Sequence, residues 1–372
     1  MWLSETECLL REQFRRYLAA ELEPMTAQLE SGEELPYPFL RRMVADLGLA
    51  EPHGEGTPED RKLGGRARML LTVELARINP GLAMSYGASV DLCAGNIARL
   101  GTDEQLHRFV APLRCFEKIG AWCLTEPQAG SDAFRSMKTT ATQEGDDFVL
   151  KGTKTFITNA PHADVLLVYA KEKQDDSIQA FIVEREFPGV SVGPPFEKMG
   201  MKSSPTGAVF FDAVRVPKQN RLGLGVRDRS HVRKSLTAER AGIAVLSYGI
   251  AERCFEIARD YARERVQGGQ PIANYQLIQG RLARMYVTLT NVRRFVFGRH
   301  EDLSAGEISA AKLYAAEAGT FVATEAIHIL GGYGYLREYA VERLARDAKL
   351  LELGGGTTEM QILTIARHLL SE

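Results

Sequence analysis

The chain lacks the marks of several common chemistries. Its five cysteines, Cys8, Cys93, Cys115, Cys123 and Cys254, form no CxxC pair, and its seven histidines form no HExxH pattern. A structural zinc and a zinc hydrolase are therefore not expected. The odd, scattered cysteines suit a reducing compartment better than a disulfide framework. No apolar run approaches the ~20 residues that span a bilayer. The opening Met1-Trp2-Leu3-Ser4-Glu5 has no basic-then-apolar layout, so a cytoplasmic protein without a membrane partner is expected. Charge of one sign is lacking too: 46 Lys and Arg stand against 48 Asp and Glu, a net charge of −2. Nucleic-acid partners are not expected from that balance. The most basic stretch, Arg227-Asp228-Arg229-Ser230-His231-Val232-Arg233-Lys234, reads as a solvated loop or helix start. Long enough to bury a large core, the 372 residues are 45% hydrophobic and 25% charged, an ordinary globular balance.

Periodicity divides the chain in three. Over residues 1–118 apolar residues recur at helical spacing, as in Leu9, Leu10, Phe14, Tyr17 and Leu18, or Leu70, Leu71, Val73, Leu75 and Ala76. The segment Glu51-Pro52-His53-Gly54-Glu55-Gly56-Thr57-Pro58 reads as a loop. Over residues 119–226 short Val-, Ile-, Phe- and Thr-rich runs alternate with turns, which predicts a small antiparallel barrel or sandwich. Over residues 227–372 long helical segments return, separated by glycine breaks near 268, 331 and 354, which predicts a four-helix bundle. The fold class is thus mostly α with a central β domain. A cleft where such domains meet suits a flat ligand.

Two glycine clusters need explanation: Gly331-Gly332-Tyr333-Gly334 and Gly354-Gly355-Gly356. Neither follows a strand and opens a helix within a βαβ unit, so a dinucleotide fingerprint is a poor reading. Helix termination by glycine is one reading. For Gly354-Gly355-Gly356-Thr357-Thr358 a second is open, in which backbone N–H groups at a helix start meet a phosphate or carbonyl oxygen.

Five segments, in order, resemble the acyl-CoA dehydrogenase family: Trp122-Cys123-Leu124-Thr125-Glu126-Pro127-Gln128-Ala129-Gly130-Ser131-Asp132; Lys154-Thr155-Phe156-Ile157-Thr158-Asn159-Ala160; Arg265-Val266-Gln267-Gly268-Gly269-Gln270-Pro271-Ile272 with Tyr275-Gln276; Leu330-Gly331-Gly332-Tyr333-Gly334-Tyr335 with Arg346-Asp347-Ala348-Lys349; and Gly355-Gly356-Thr357-Thr358-Glu359. The resemblance covers nearly the whole chain and is thinnest over 1–118. It implies FAD as cofactor, with Trp122, Leu124, Thr125 and Ser131 in the loop against the flavin ring. Phe156 would pack on the ring and Thr158 would lie near its N5. Arg265, Gln276, His328, Gly331 and Gly332 would reach the diphosphate and adenosine of a neighbouring subunit's FAD, with His328 standing where glutamine is common. Thr357 and Glu359 would lie near the cofactor. Read alone, Phe156 is a strand core residue, Arg265 a helix-end charge and Glu359 a first-turn acid.

The resemblance also implies a homotetramer, an acyl-CoA or acyl-carrier thioester as substrate, and an electron-transferring flavoprotein as acceptor, in fatty acid or amino acid catabolism. The alternatives are a carrier-protein dehydrogenase, an enoyl-CoA reductase, a flavin oxidase or monooxygenase, and a non-catalytic relative.

Where many members carry the catalytic Glu, this chain has Gly355. A subset that includes isovaleryl-CoA and long-chain acyl-CoA dehydrogenases carries it in a Glu-Arg pair on the first bundle helix. Here Glu239-Arg240 stands there, 26 residues before Arg265. Glu239 shares its helix face with Leu236, Gly242, Ile243 and Leu246, with no Lys or Arg at i±3 or i±4. Such a carboxylate should have a raised pKa, which suits a base near neutrality. The Gly355 N–H would still serve the thioester carbonyl. The expected substrate contacts are Ser131, Glu239, Arg240, Gly355 and Gly356.

Overall fold

The computed structural model describes residues 2–49, 58–223, 230–298 and 303–371; of residues 58–63 and 230–233 only the backbone is described. The expected loop over residues 51–57, the expected boundary at 226/227 and the side chains of the basic run up to Arg233 lie outside the described residues.

The N-terminal part is helical: α1 Glu5–Glu21, α2 Thr26–Ser31, α3 Pro36–Asp46, α4 Pro58–Ile78, α5 Pro80–Gly87, α6 Gly95–Leu100, α7 Asp103–Gln105 and α8 Ala111–Arg114. Ser4 and Glu7 start α1 with a reciprocal capping box, so two otherwise orphaned N–H groups find partners. Between α5 and α6 the chain widens into a π-helical stretch, Ala88–Ala94. Such widenings are frequent at functional sites.

Seven strands follow: β1 Gly120–Cys123, β2 Thr140–Glu144, β3 Asp147–Thr158, β4 Val165–Glu172, β5 Ile178–Glu184, β6 Val190–Val192 and β7 Thr206–Pro217. They form one curled sheet in the order β1-β4-β2-β3-β7-β6, with β5 on the other side of β4. The expected antiparallel pattern holds for β2–β3, β3–β7, β4–β5 and β6–β7. It is corrected at β1–β4 and β2–β4, which pair in parallel. Parallel partners need a crossover rather than a hairpin, and period-2 patterning is blind to that direction. Val165 to Ala170 of β4 are buried on both faces, because helices cover one side of the sheet and its own curl the other.

The C-terminal part contains α9 Ser230–Glu264, a short hairpin of β8 Val266–Gln267 and β9 Gln270–Pro271, then α10 Gln276–Phe297, α11 Ala305–Leu330, α12 Ala340–Leu353 and α13 Thr358–Leu370. Helix α11 is started by a Ser304–Glu307 capping box. Its buried face is built of small residues, among them Ala315, Ala316, Gly319 and Ala323. A side chain at Gly319 would already touch Ser247 of α9 at 3.5 Å, so α9 and α11 pack closely. The main core runs continuously from the N-terminal helices into this bundle.

Candidate active site

Where the three parts meet lies a cavity of about 1990 Å³. That exceeds the few hundred to ~1,000 Å³ of an ordinary small-molecule pocket, so a ring system and an acyl chain have room together. Glu239, Gly242, Ile243 and Leu246 of α9 all line it, as the shared helix face predicts. Gly242 leaves open space: a Cβ built there meets nothing within 4 Å. Glu239 is partly accessible, and that accessible surface belongs to the cavity. Loss of solvation pushes its pKa up to about 7, against the opposing charges of Arg240 and Lys312.

Across from Glu239 runs the turn between α12 and α13. Gly355 and Gly356 line the cavity and take left-handed backbones, φ +62° and +88°. A Cβ on Gly355 would lie 2.4 Å from Ile243 Cδ1 and 3.6 Å from the Glu239 carboxyl carbon. A side chain at 355 would therefore strike Ile243 and lie against the carboxyl of Glu239. Thr357 also lines the cavity and caps α13, accepting the Met360 N–H at 3.4 Å.

Arg240 is placed differently from expectation. It does not line the cavity; it sits behind the turn, with Nε donating to Gly355 O at 3.5 Å and a guanidinium NH donating to Ser309 Oγ at 3.1 Å. In the single chain Arg240 supports the turn. One residue along a helix is about 100° around it, so Glu239 and Arg240 cannot share the cavity face.

The β domain forms the opposite wall. Thr125, Ser131, Phe156 and Thr158 line the cavity. Phe156 is 68% exposed, which overturns its reading as a strand core residue. A register shift in β3 between Lys154 and Ile157, with φ +57° at Phe156, turns its ring outward against Phe196. A large aromatic held out of the core in a strained backbone is a ready platform for a flat ring. Beneath it the fully buried Lys154 donates to Leu124 O at 3.0 Å and Glu126 Oε1 at 2.9 Å. Glu126 also accepts the Lys138 and Thr139 N–H groups, and Thr155 N donates to Thr125 O. The loop over 124–126 is therefore anchored to β3. The side chains of Trp122 and Leu124 do not line the cavity: Trp122 packs on Tyr169, and Leu124 is in the core. Burying those apolar groups against the sheet fixes the loop from below.

A second groove, about 1260 Å³, lies on the bundle at the β8–β9 hairpin. Arg265, Gln276, Gly331 and Gly332 line it together, although 55 positions of chain separate Gln276 from Gly331. The Arg265 guanidinium lies over the Tyr333 ring at 5.4 Å. Gly331, at φ +62°, ends α11 and leaves open space where a Cβ would be. His328 does not line this groove; it is exposed beside Glu325 and Arg281. Nor does Glu359 line the main cavity: it is exposed, its pKa held down by its own backbone N–H and the Thr357 hydroxyl. His328 lies on the solvent side of the last turn of α11, and Glu359 is a first-turn helix acid.

Motif reading passed over Lys312 and Gln361. Lys312 is fully buried on α11, and Gln361 fully buried on α13; both reach the Gly355–Gly356 turn. A cation on the apolar face of α11, one turn from Ile308 and Ala316, was the available signal for Lys312.

A desolvated carboxyl facing an aromatic-walled cavity wide enough for a ring system fits a flavin-dependent oxidoreductase. The chain belongs to the acyl-CoA dehydrogenase family: the family's N-terminal domain matches residues 4–115, its middle domain 121–214 and its C-terminal domain 230–370. It is 35% identical over 379 residues to a mitochondrial 2-methylacyl-CoA dehydrogenase of Solanum tuberosum, covering 99% of this chain and 91% of that protein. The butyryl-CoA dehydrogenase structure from Megasphaera elsdenii superposes with a TM-score of 0.91 at 32% identity, covering 99% of each chain. A glutaryl-CoA dehydrogenase from Mycobacterium smegmatis in complex with FADH2 gives 0.92 at 28% identity, covering 100% of this chain and 96% of that one. The protein is an FAD-dependent oxidoreductase acting on CH–CH groups. Among the described residues no helix is long and apolar enough to cross a membrane, and no group of three or more His, Cys, Asp or Glu is placed to hold a metal.

Proposed function

We propose that the chain oxidises an acyl-CoA between its α and β carbons, with Glu239 as the base. The observation that carries this reading is the convergence of the Glu239 carboxyl and the Gly355 backbone on one point of the cavity. A thioester α-C–H is a weak acid. Its removal needs a base whose pKa lies near the working pH and a donor at the carbonyl oxygen. Glu239, raised to about 7, meets the first need. Gly355 can meet the second: among the described residues its N–H has no acceptor, and the residue lines the cavity. Thr125, Ser131, Phe156, Thr158 and Thr357 would hold the flavin ring, with Trp122 and Leu124 contributing through backbone only. Bound FAD supplies the two-electron acceptor, at N5, for the hydride that leaves the β carbon.

Arg265, Gln276, Gly331 and Gly332 form a groove separate from the cavity, which suits the diphosphate and adenosine end of a cofactor held mainly by another copy. On this reading the enzyme works as an oligomer, a tetramer built from two such pairs, of units spanning 1–118, 119–226 and 227–372. Its electrons pass to an electron-transferring flavoprotein.

Anaerobic flavin bleaching across a panel of CoA esters tests the assignment. In Glu239→Gln the flavin stays bound and bleaching slows by roughly 10³-fold or more. Unchanged bleaching in that variant removes Glu239 from the mechanism.

A further inference from the structure

The Gly355–Gly356 turn is held by its carbonyls. Gln361 Nε2 of α13 donates to Gly355 O at 3.1 Å and Gly356 O at 2.7 Å. Lys312 Nζ of α11 donates to Gly356 O at 2.9 Å and, more weakly, to Glu352 O at 3.4 Å. Arg240 of α9 approaches Gly355 O from a third side. Both glycines have positive φ, and among the described residues neither N–H has an acceptor. With the carbonyls taken by donors on the bundle side, the N–H edge is left to the cavity.

Lys312 is the unusual member. Its side chain is fully buried, and among the described residues no carboxylate lies within 4 Å of its ammonium. A buried cation without an ion-pair partner is destabilising, and a neutral donor such as Gln361 holds the same carbonyl without that penalty. A charge retained there points to an electrostatic task. The charged groups around it are Glu239 and Arg240 on α9, Glu352 at the end of α12 and Glu359 on α13.

We propose that Lys312 is a positioning residue for the reaction: with Gln361 it aims the Gly355–Gly356 N–H edge at the thioester carbonyl, and its charge favours the ionised form of Glu239 across the turn. The proposal rests on Glu239 as base but is tested apart from it. Burial lowers the pKa of Lys312 to about 8, so the ammonium persists at neutral pH, where Glu239 must ionise.

The test uses the FAD-loaded protein and two ligands that are not turned over, both with the acyl chain of the best substrate from the panel. One is the 2-enoyl-CoA, which keeps the thioester carbonyl; the other is the S-alkyl-CoA thioether, which lacks it. In Lys312→Met the enoyl-CoA binds about tenfold more weakly while the thioether is unaffected, the loss of one or two hydrogen bonds. The acid limb of the kcat/KM profile moves to higher pH, because a cation near Glu239 has gone. Gln361→Met weakens the enoyl-CoA alone in the same way but leaves the acid limb in place, because glutamine carries no charge. Should Lys312→Met not fold, Gln361→Met carries the ligand comparison and Lys312→Arg, which keeps the charge, carries the pH profile: an unmoved limb is then expected. Equal weakening of both ligands, or of neither, overturns the proposal, as does an acid limb that Lys312→Met leaves unmoved or Lys312→Arg displaces. Bleaching that survives Glu239→Gln sinks the base assignment instead and leaves the ligand comparison valid.

Discussion

The glycine turns that end α11 and α12 look alike in sequence and differ in what surrounds them. Gly331 stands at φ +62° with open space where a side chain would begin, on a groove shared with Arg265. Gly355 stands at the same φ with Ile243 2.4 Å from its would-be Cβ and the Glu239 carboxyl 3.6 Å away. One glycine is needed for its backbone alone; the other is needed for its backbone and for the space beside it. The difference teaches that a glycine motif acquires its chemistry from the helices packed around it. The first turn ends a helix and offers a surface for a large ligand, whereas the second is closed in by three helices and offers hydrogen bonds.

Substitution breaks the comparison most sharply. Gly355→Ala meets both the left-handed backbone and the Ile243 methyl, so it displaces Ile243 or the turn. A displacement near 1 Å slows bleaching by the acyl-CoA by about 100-fold. Gly331→Ala meets only the backbone term within its own chain; it lowers thermal stability by about 1 kcal/mol and, in protein kept saturated with FAD, leaves the bleaching rate within about twofold. Similar rate losses in both variants would mean that the two turns do the same work.

Next in size is the cost of keeping Glu239 where it is. Its pKa in the folded chain is about 7, above the ordinary carboxylate value of 4.5. A group raised in this way contributes its full stability below about pH 4.5 and loses it as pH climbs through 7. Relative to wild type, Glu239→Gln should therefore gain stability between pH 4.5 and 8, by at most about 3 kcal/mol. Denaturant titrations of both proteins at pH 4.5 and pH 8 check the sign; a gap that does not widen at pH 8 means that the carboxyl is well solvated. Catalysis runs the other way, with kcat/KM rising through pH 7 as the base ionises.

The smallest effect belongs to the outer groove. Arg265→Ala removes a charged donor beside Tyr333 and should weaken FAD retention by about tenfold, seen as flavin lost on dilution. The acid limb set by Glu239 should not move. If the groove serves a neighbouring copy, the flavin loss grows as protein concentration falls through the dissociation of the oligomer. Flavin loss independent of protein concentration argues for a cofactor bound within one chain.

Much of this was legible before any coordinates. Helical and two-residue periodicities located the three parts, because burial imposes a repeat on whichever face looks inward. The proposed displacement of the base from 355 to 239 rests on motif spacing. Patterning did not reach the parallel pairing of β1 and β2 with β4, since alternation is the same in either strand direction. The family resemblance implied Arg240 at the substrate, His328 in the outer groove and Glu359 near the cofactor; in the single chain Arg240 and Glu359 do not line the cavity and His328 does not line the groove.

The order of residues by itself determined which segments coil or extend, and that one glutamate would stand on an apolar helix face. Only the packing of α9, α11 and α13 around one turn decided that this carboxyl would meet the Gly355 backbone, and that Lys312, 73 positions further along the chain, would share its surroundings. The reason is the range of the forces involved. Local torsions and burial periodicity act over a few residues, whereas desolvation and charge act across any distance in sequence that folding has closed in space.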